Sequence, residues 1–302
     1  MNIAAEYDVV IIGGSYSGLS AGLALARSLR KVLIIDSGNP CNAHVTHSHN
    51  FLAHDGDSPH KIAATAREQL ALYSNVTFIH NTATGVANAS GMFRVLTASG
   101  EAYDCKKLLF ATGIIDLLPS IPGLRECWGS SVLHCPYCHG YEVREKQTGV
   151  LANDKDEFDY VMLISNWTSR LSVFTNGSHT FTEAQLDILE RHNINLIETP
   201  IAALVNSNGS LQSLKLTNGV HAQMEILYSR MPFIQKTTLL QELGCATTEQ
   251  GYINTDGSGK TSVPGIYACG DNSSRNRTIS NAVAQGTNAG MAINKELTIE
   301  SY

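Results

Sequence analysis

Apolar runs closed by glycine-rich breaks recur along the chain and predict two strand–helix cycles. Residues 7–12 form a short β-rich run that ends in glycines, the small-residue stretch 17–29 favours helix, and 31–36 is a second buried-type strand. Strand, helix and strand in that order open a parallel sheet. Residues 58–73 read as an amphipathic helix with a Ser-Pro start. Between Val76 and Phe110 the segments shorten, with turn signals at Ala89-Ser90-Gly91 and Ala98-Ser99-Gly100, which predicts a meander rather than another βαβ unit. After Pro119 and Pro122-Gly123 the texture changes, and a second cycle follows: strand 149–152, helix 156–166, strand 171–174, helix 183–192, then a meander to about Leu227. Arg230-Met231-Pro232 marks the return crossing, before a strand at 265–268 and a final helix over 278–297. The expected architecture is α/β, with two Rossmann-like, three-layer domains. The first is discontinuous, 1–116 and 231–302, and the second is an inserted module, 117–230.

Composition narrows the class. A chain of 302 residues is long for one hydrophobic core, which favours two domains. The net charge of −6, with Lys and Arg scattered, gives no basic footprint for nucleic acid. No apolar run approaches the roughly 20 residues that cross a bilayer. Residues 1–8 lack the basic and apolar regions of a signal peptide. Seven cysteines, five of them dispersed, fit a reducing cytoplasm better than a secreted disulfide framework.

Gly13-Gly14-Ser15-Tyr16-Ser17-Gly18 lies between a strand and a helix, where a dinucleotide pyrophosphate would meet helix N–H groups. The middle glycine of G-x-G-x-x-G is Ser15 here, still small enough for close approach. Asp36 ends the next strand, where an acid can accept both ribose hydroxyls. Leu108 to Gly113 is a strand running into Ala111-Thr112-Gly113, and Gly265 to Asp271 is a strand that delivers Asp271 beside Gly270.

His134-Cys135-Pro136-Tyr137-Cys138-His139-Gly140-Tyr141-Glu142 carries two thiols close enough to pair. Alone, the run is open to redox chemistry, a half-built zinc site or a structural bridge. Four zinc ligands within six residues would crowd a tetrahedral ion, and no second Cys-x-x-Cys exists. Cys41, Cys105, Cys127, Cys245 and Cys269 read most simply as small buried hydrophobes, with a flavin-side role for Cys41 also open.

The glycine fingerprint, the Ala-Thr-Gly turn and the Gly-Asp turn together resemble the FAD-binding signatures of two-dinucleotide-binding-domain flavoproteins. The Cys-x-x-Cys narrows the resemblance to the low-molecular-weight thioredoxin reductase family, over nearly the whole chain. The resemblance implies FAD held by Gly13, Ser15, Gly18, Asp36, Thr112, Gly113, Gly270 and Asp271. It puts Asn50 near the isoalloxazine and aims the helix starting at Ile279-Ser280 toward the flavin O2 side. It implies that Cys138 lies against the flavin with Cys135 as its partner, in a homodimer whose domains rotate. The family usually has Asp after the second cysteine; here His139 stands there, able to serve as acid and base. Glu142 and His134 are secondary candidates for that role.

The second glycine loop is where the resemblance fails. Gly149 to Asp156 holds no G-x-G-x-x-G, and Asp154, Asp156 and Glu157 would repel a pyrophosphate. After the next strand the chain reads Phe174-Thr175-Asn176-Gly177, with no arginine clamp for a 2′-phosphate. Three readings compete. The first is a disulfide reductase that acts on a thioredoxin-like protein or a small disulfide, fed by a ferredoxin or another donor in place of NADPH. The second is a dithiol oxidase that closes disulfides in a small molecule or peptide, with O₂ reoxidising the flavin; the Cys-Pro-aromatic-Cys-His-Gly pattern resembles such enzymes of natural-product biosynthesis. The third is a flavin-bearing scaffold with a vestigial pair. Tyr302 completes the expectations: as in some relatives without NADPH motifs, a C-terminal aromatic would stack on the flavin face.

Overall fold

The computed structural model describes residues 6–89 and 91–302. Residues 1–5, where the reading of a leader rests in part, and Ser90 of one expected turn lie outside the described residues. The chain divides into two units: one runs through Ala43, Asn50–Ile115 and Phe233–Tyr302, the other comprises His44–His49 and Asp116–Pro232.

Unit 1 begins with β1 (Glu6–Ile12), α1 (Tyr16–Arg27), β2 (Val32–Asp36), α2 (Pro59–Ala71) and β3 (Val76–His80). The β1 and β2 side chains are buried almost throughout, as the apolar runs require of strands covered on both faces. Ser58 caps α2 by accepting from Lys61 N–H at 3.2 Å, with Pro59 at the first helical position. β4 (Ala83–Ala89), β5 (Met92–Thr97), β6 (Ala102–Phe110) and β7 (Ile114–Asp116) follow. The expected meander is real for β4, β5 and β6, which pair antiparallel. Val76–His80 departs from that expectation: it pairs parallel with β2 in register Val32↔Val76, making β2-α2-β3 a second crossover. Its half-exposed pattern hides a parallel edge strand, because only one side of it is covered.

The sheet order is β3-β2-β1-β6-β5-β4. One edge of β6 carries β1. The other carries β5 along its first part and, along Leu108–Phe110, the late strand Ile266–Ala268. Separate apolar clusters form on the two faces, one around Val10, Leu33 and Phe110, the other around Ile11, Leu25, Ile34 and Leu109. Each such side chain contributes roughly 1.5–3 kcal/mol on burial.

Unit 2 contains α3 (Leu124–Cys127), β8 (Val132–Leu133), α4 (Pro136–His139), β9 (Thr148–Leu151), α5 (Phe158–Ile164), β10 (Leu171–Phe174), α6 (Glu183–Arg191), β11 (Asn195–Ile197), β12 (Ile201–Ser207), β13 (Ser210–Leu216), β14 (His221–Gln223) and β15 (Ile226–Ser229). Strands β11-β10-β9-β15-β8 form a parallel sheet, and β12-β13-β14 an antiparallel one. The expected helix at 156–166 resolves into a 3₁₀ turn, Lys155–Glu157, followed by α5. His44–His49 groups with unit 2, where the sequence reading had kept it in the first domain. A Cβ on Gly129 would rest against His44 and Val45, and His49 meets Glu142.

The chain completes unit 1 with β16 (Phe233–Gln235), α7 (Leu239–Glu242), β17 (Ile266–Ala268) and α8 (Ile279–Ile299). α8 crosses α1 so closely that glycine is required at the contact. A Cβ on Gly286 would lie 2.1 Å from the Ser17 carbonyl oxygen, and one on Gly290 2.8 Å from that of Ala21.

Candidate functional site

In unit 1 the β1–α1 turn is tight and without a side-chain cap. Gly13 has φ +108°, and a Cβ there would lie 2.2 Å from the Ala111 carbonyl oxygen. A Cβ on Gly18 would lie 1.9 Å from the Gly13 carbonyl oxygen, so the helix starts hard against the turn. Ser15 occupies the N-cap but its hydroxyl makes no capping bond. Among the described residues no side chain takes the amide donors that open α1, which is the arrangement an anion needs. Asp36 accepts from Gly14 N–H at 3.1 Å and from Arg67 at 2.9 Å. Arg67, on α2, was invisible as a partner in the sequence.

The later motifs of unit 1 converge by topology. β17 lies beside β6, so the turn at Gly270 and Asp271 comes next to the one at Thr112 and Gly113. Asn272, fully buried, joins them: its amide donates to the Phe110 carbonyl at 2.9 Å and to Thr112 Oγ1 at 3.3 Å. The Asn272 Oδ1 atom has no hydrogen-bond partner among the described residues. Gly270 has φ +88° and donates its N–H to Gln285 on α8 at 2.7 Å. Asp271 receives the Cys41 thiol at 3.6 Å and lies 3.7 Å from Arg277 Nε. Cys41 is exposed, which corrects its reading as a buried hydrophobe; the other four lone cysteines are buried. Burial pushes the Cys105 and Cys269 thiols up to about 12, which leaves them inert near neutrality.

Asn50 and Ser280 meet directly. The Ser280 hydroxyl donates to the Asn50 carbonyl at 2.8 Å, while Asn50 N–H donates to Asp55. α8 starts at Ile279 with Thr278 as its cap. Tyr302 does not join them. It is fully exposed just beyond the C-terminal end of α8, whose 21 residues span about 30 Å from the end that carries Ser280. Within one chain it therefore cannot cover the surface that Ile279 and Ser280 border.

In unit 2, Cys135 and Cys138 form a disulfide, with Cα atoms 5.3 Å apart. Cys135 is the N-cap of α4, Pro136 its first residue, and Cys138 N–H donates to Cys135 Sγ at 3.1 Å. Surrounding aromatics clamp the segment. Tyr160 OH donates to the His134 carbonyl at 2.8 Å, His134 stacks on Trp128, and Tyr137 meets Trp167 edge to face. Gly140 has no room for a Cβ, which would lie 2.5 Å from the Pro136 carbonyl oxygen and 2.8 Å from the Trp167 ring. His139 ends α4 half-buried. Burial pushes it below the ordinary histidine range, the negative Glu142 opposes that, and His49 adds to it. The sequence missed His49, which a distant segment brings in. Among the described residues no group of three or more His, Cys, Asp or Glu is placed to hold a metal ion.

The turn after β9 in unit 2 contrasts with the one in unit 1. Glu157 Oε2 accepts from Asn153 N–H at 3.1 Å and Asp154 N–H at 3.4 Å. Thr180 Oγ1 accepts from Lys155 N–H at 2.9 Å, and Asp154 Oδ1 from Asp156 N–H at 2.9 Å. Four consecutive amides that could hold a phosphate are taken by the chain's own side chains.

The family model for pyridine nucleotide-disulphide oxidoreductases matches residues 7–286. Among solved structures, an oxidoreductase from Agrobacterium tumefaciens is 33% identical with a TM-score of 0.92, covering 97% of this chain and 99% of that one. HlmI is 32% identical with a TM-score of 0.92, covering 100% and 95%. A thioredoxin reductase of Leptosphaeria maculans, sirT, is 29% identical across 95% of this chain and 93% of its own. FAD is the cofactor of this family, and the Gly13–Gly18 turn with its uncapped amides fits it. The chain therefore belongs to the pyridine nucleotide-disulphide oxidoreductases, as a thioredoxin reductase-like, FAD-dependent disulfide oxidoreductase.

Proposed function

We propose that the protein performs thiol–disulfide exchange through Cys135 and Cys138, with His139 carrying the proton, and that unit 2 does not use NADPH in the ordinary way. One observation carries the second half: the amides after β9 are already bonded to Glu157, Asp154 and Thr180, and two of those partners are carboxylates. A pyrophosphate would have to displace them against like charge. When bound, FAD supplies two-electron exchange with a disulfide. Gly13, Ser15, Gly18, Asp36, Asn50, Thr112, Gly113, Gly270, Asp271, Ile279 and Ser280 are the residues proposed to hold and border it.

The exchange itself is carried by the chain's own groups. An incoming thiol gives its proton to His139, and the thiolate attacks one sulfur of the pair. The Cys135–Cys138 bond breaks, and the sulfur set free takes a proton. The partner's second thiol then attacks the mixed disulfide. The balance is one dithiol and one protein disulfide giving one disulfide and one protein dithiol; reversed, the same steps reduce a partner disulfide. The partner is a thioredoxin-like protein or a small dithiol or disulfide, and a ferredoxin or another donor other than NADPH supplies electrons in the reducing direction. His139 in place of an acid favours a second reading, oxidation of a small-molecule or peptide dithiol with O₂ as final acceptor, because a neutral imidazole can take the incoming proton. The four buried free thiols suit a reducing cytoplasm, and a homodimer is the proposed assembly.

The test mixes the purified yellow protein anaerobically with NADPH, NADH, reduced ferredoxin or a dithiol and follows bleaching. Bleaching by dithiol or ferredoxin without NADPH is expected. Rapid bleaching by NADPH overturns the reading of unit 2, and a Cys138→Ser protein with full activity overturns that of the pair.

A further inference from the structure

His139 shares its surroundings with another imidazole and one carboxylate, all in unit 2. Glu142 follows three residues after His139, in a turn closed by Val143 N–H donating to the His139 carbonyl at 3.3 Å. Its Oε1 lies 3.6 Å from Nδ1 of His49, which arrives on the His44–His49 segment. Behind the carboxylate, from β15, stands Tyr228, a 2% exposed residue whose hydroxyl has no hydrogen-bond partner among the described residues. Burial and the negative Glu142 together raise that phenol, which keeps it neutral. The titratable groups gathered here are thus His139, His49, Glu142 and Tyr228, with His134 before the Cys135–Cys138 disulfide.

We propose that Glu142 is a positioning residue for His139, and that His49 competes with His139 for this one carboxylate. The proposal rests on His139 being the proton carrier of the exchange. Each proton taken from a thiol makes His139 positive, and Glu142 is the negative charge close enough to stabilise it. A protonated His49 does the reverse twice over, by its own charge and by drawing Glu142 away. Burial works in the same direction as His49, and Glu142 opposes both. The cluster sets the pH at which the pair exchanges with a thiol, without any of its members touching sulfur except through His139.

The experiment follows reduction of the Cys135–Cys138 disulfide by dithiothreitol in the anaerobic holoprotein, quenched in acid and counted as alkylatable thiols, from acid to alkaline pH. Imidazole titrations of histidine-labelled protein, read by NMR in the disulfide form, give a second readout independent of turnover. His139→Gln should remove one limb of the rate profile and identifies the His139 resonance. In Glu142→Gln that limb and resonance should move to lower pH, with the plateau rate down about threefold to tenfold; Glu142→Asp should restore most of both. In His49→Asn they should move to higher pH. Opposite movement is the signature, because loss of folding would lower both rates without displacing the limbs in opposite directions. Movement in the same direction, or none while His139→Gln still removes the limb, overturns the proposal. A limb that survives His139→Gln overturns the underlying role of His139 instead.

Discussion

Gly140 shows how one residue type serves the dithiol without any chemistry of its own. It lets the Trp167 indole close over the segment, so the pair is held by packing as well as by its own short helix. Gly140→Ala should cost about 1–3 kcal/mol in urea unfolding and slow disulfide exchange, because backbone and ring must both give way. At this scale the sequence displayed the candidate groups and missed their partners. Cys135, Cys138, His139 and the glycines of the first turn are local motifs. His49, Arg67 and Asn272 act across many intervening residues, and no spacing rule links them to His139, Asp36 or Thr112. The distance of Tyr302 from Ser280 within one chain follows from the length of α8, which no terminal residue displays.

The strand–turn–helix elements that begin at β1 in unit 1 and at β9 in unit 2 are alike in order and differ in what their amides bond to. In unit 1 the N-cap serine leaves the amides of α1 open; in unit 2, Asp154 and Glu157 form a capping box around a 3₁₀ turn. The charge of the acids at 154, 156 and 157 is what turned the sequence reading away from a phosphate site there. Their actual use as caps needed the structure, since it depends on the 3₁₀ turn and on Thr180 from another loop. Asp154→Ala should lower stability by about 1 kcal/mol, read as a shift in the urea midpoint, and should still leave the protein unbleached by NADPH. β3 marks the limit of pattern reading: its mixed burial looks like a hairpin strand, while its register with β2 is parallel.

At the scale of the molecule, an ionic knot joins the strands of unit 1 to its last helix. Lys107 on β6, 7% exposed, donates to Glu296 and Glu300 at 2.6 Å, while Lys260 and Tyr267 also donate to Glu296. Burial pushes the Glu296 carboxyl up, but hydrogen bonds from Lys107, Lys260 and Tyr267 outweigh it and bring the group to about 2. A depressed carboxyl contributes stability above its unfolded value, near 4.5, and loses it as pH falls toward 2. Glu296→Gln should therefore cost about 1–3 kcal/mol at neutral pH, and its melting temperature should converge on that of the wild type in acid. The prolines near 119, 122 and 232 drew the sequence reading to those positions, whereas nothing there marked His44–His49, whose grouping with unit 2 depends on tertiary contacts. Interruption of unit 1 by unit 2 bears on how the protein is made. The β1–α1 turn leaves the ribosome before unit 2, but β17 and α8, whose glycines seat α1, come after it. Unit 1 cannot close its sheet until unit 2 has been made, so a nascent chain stalled before α8 should lack a finished unit 1 and bind no FAD.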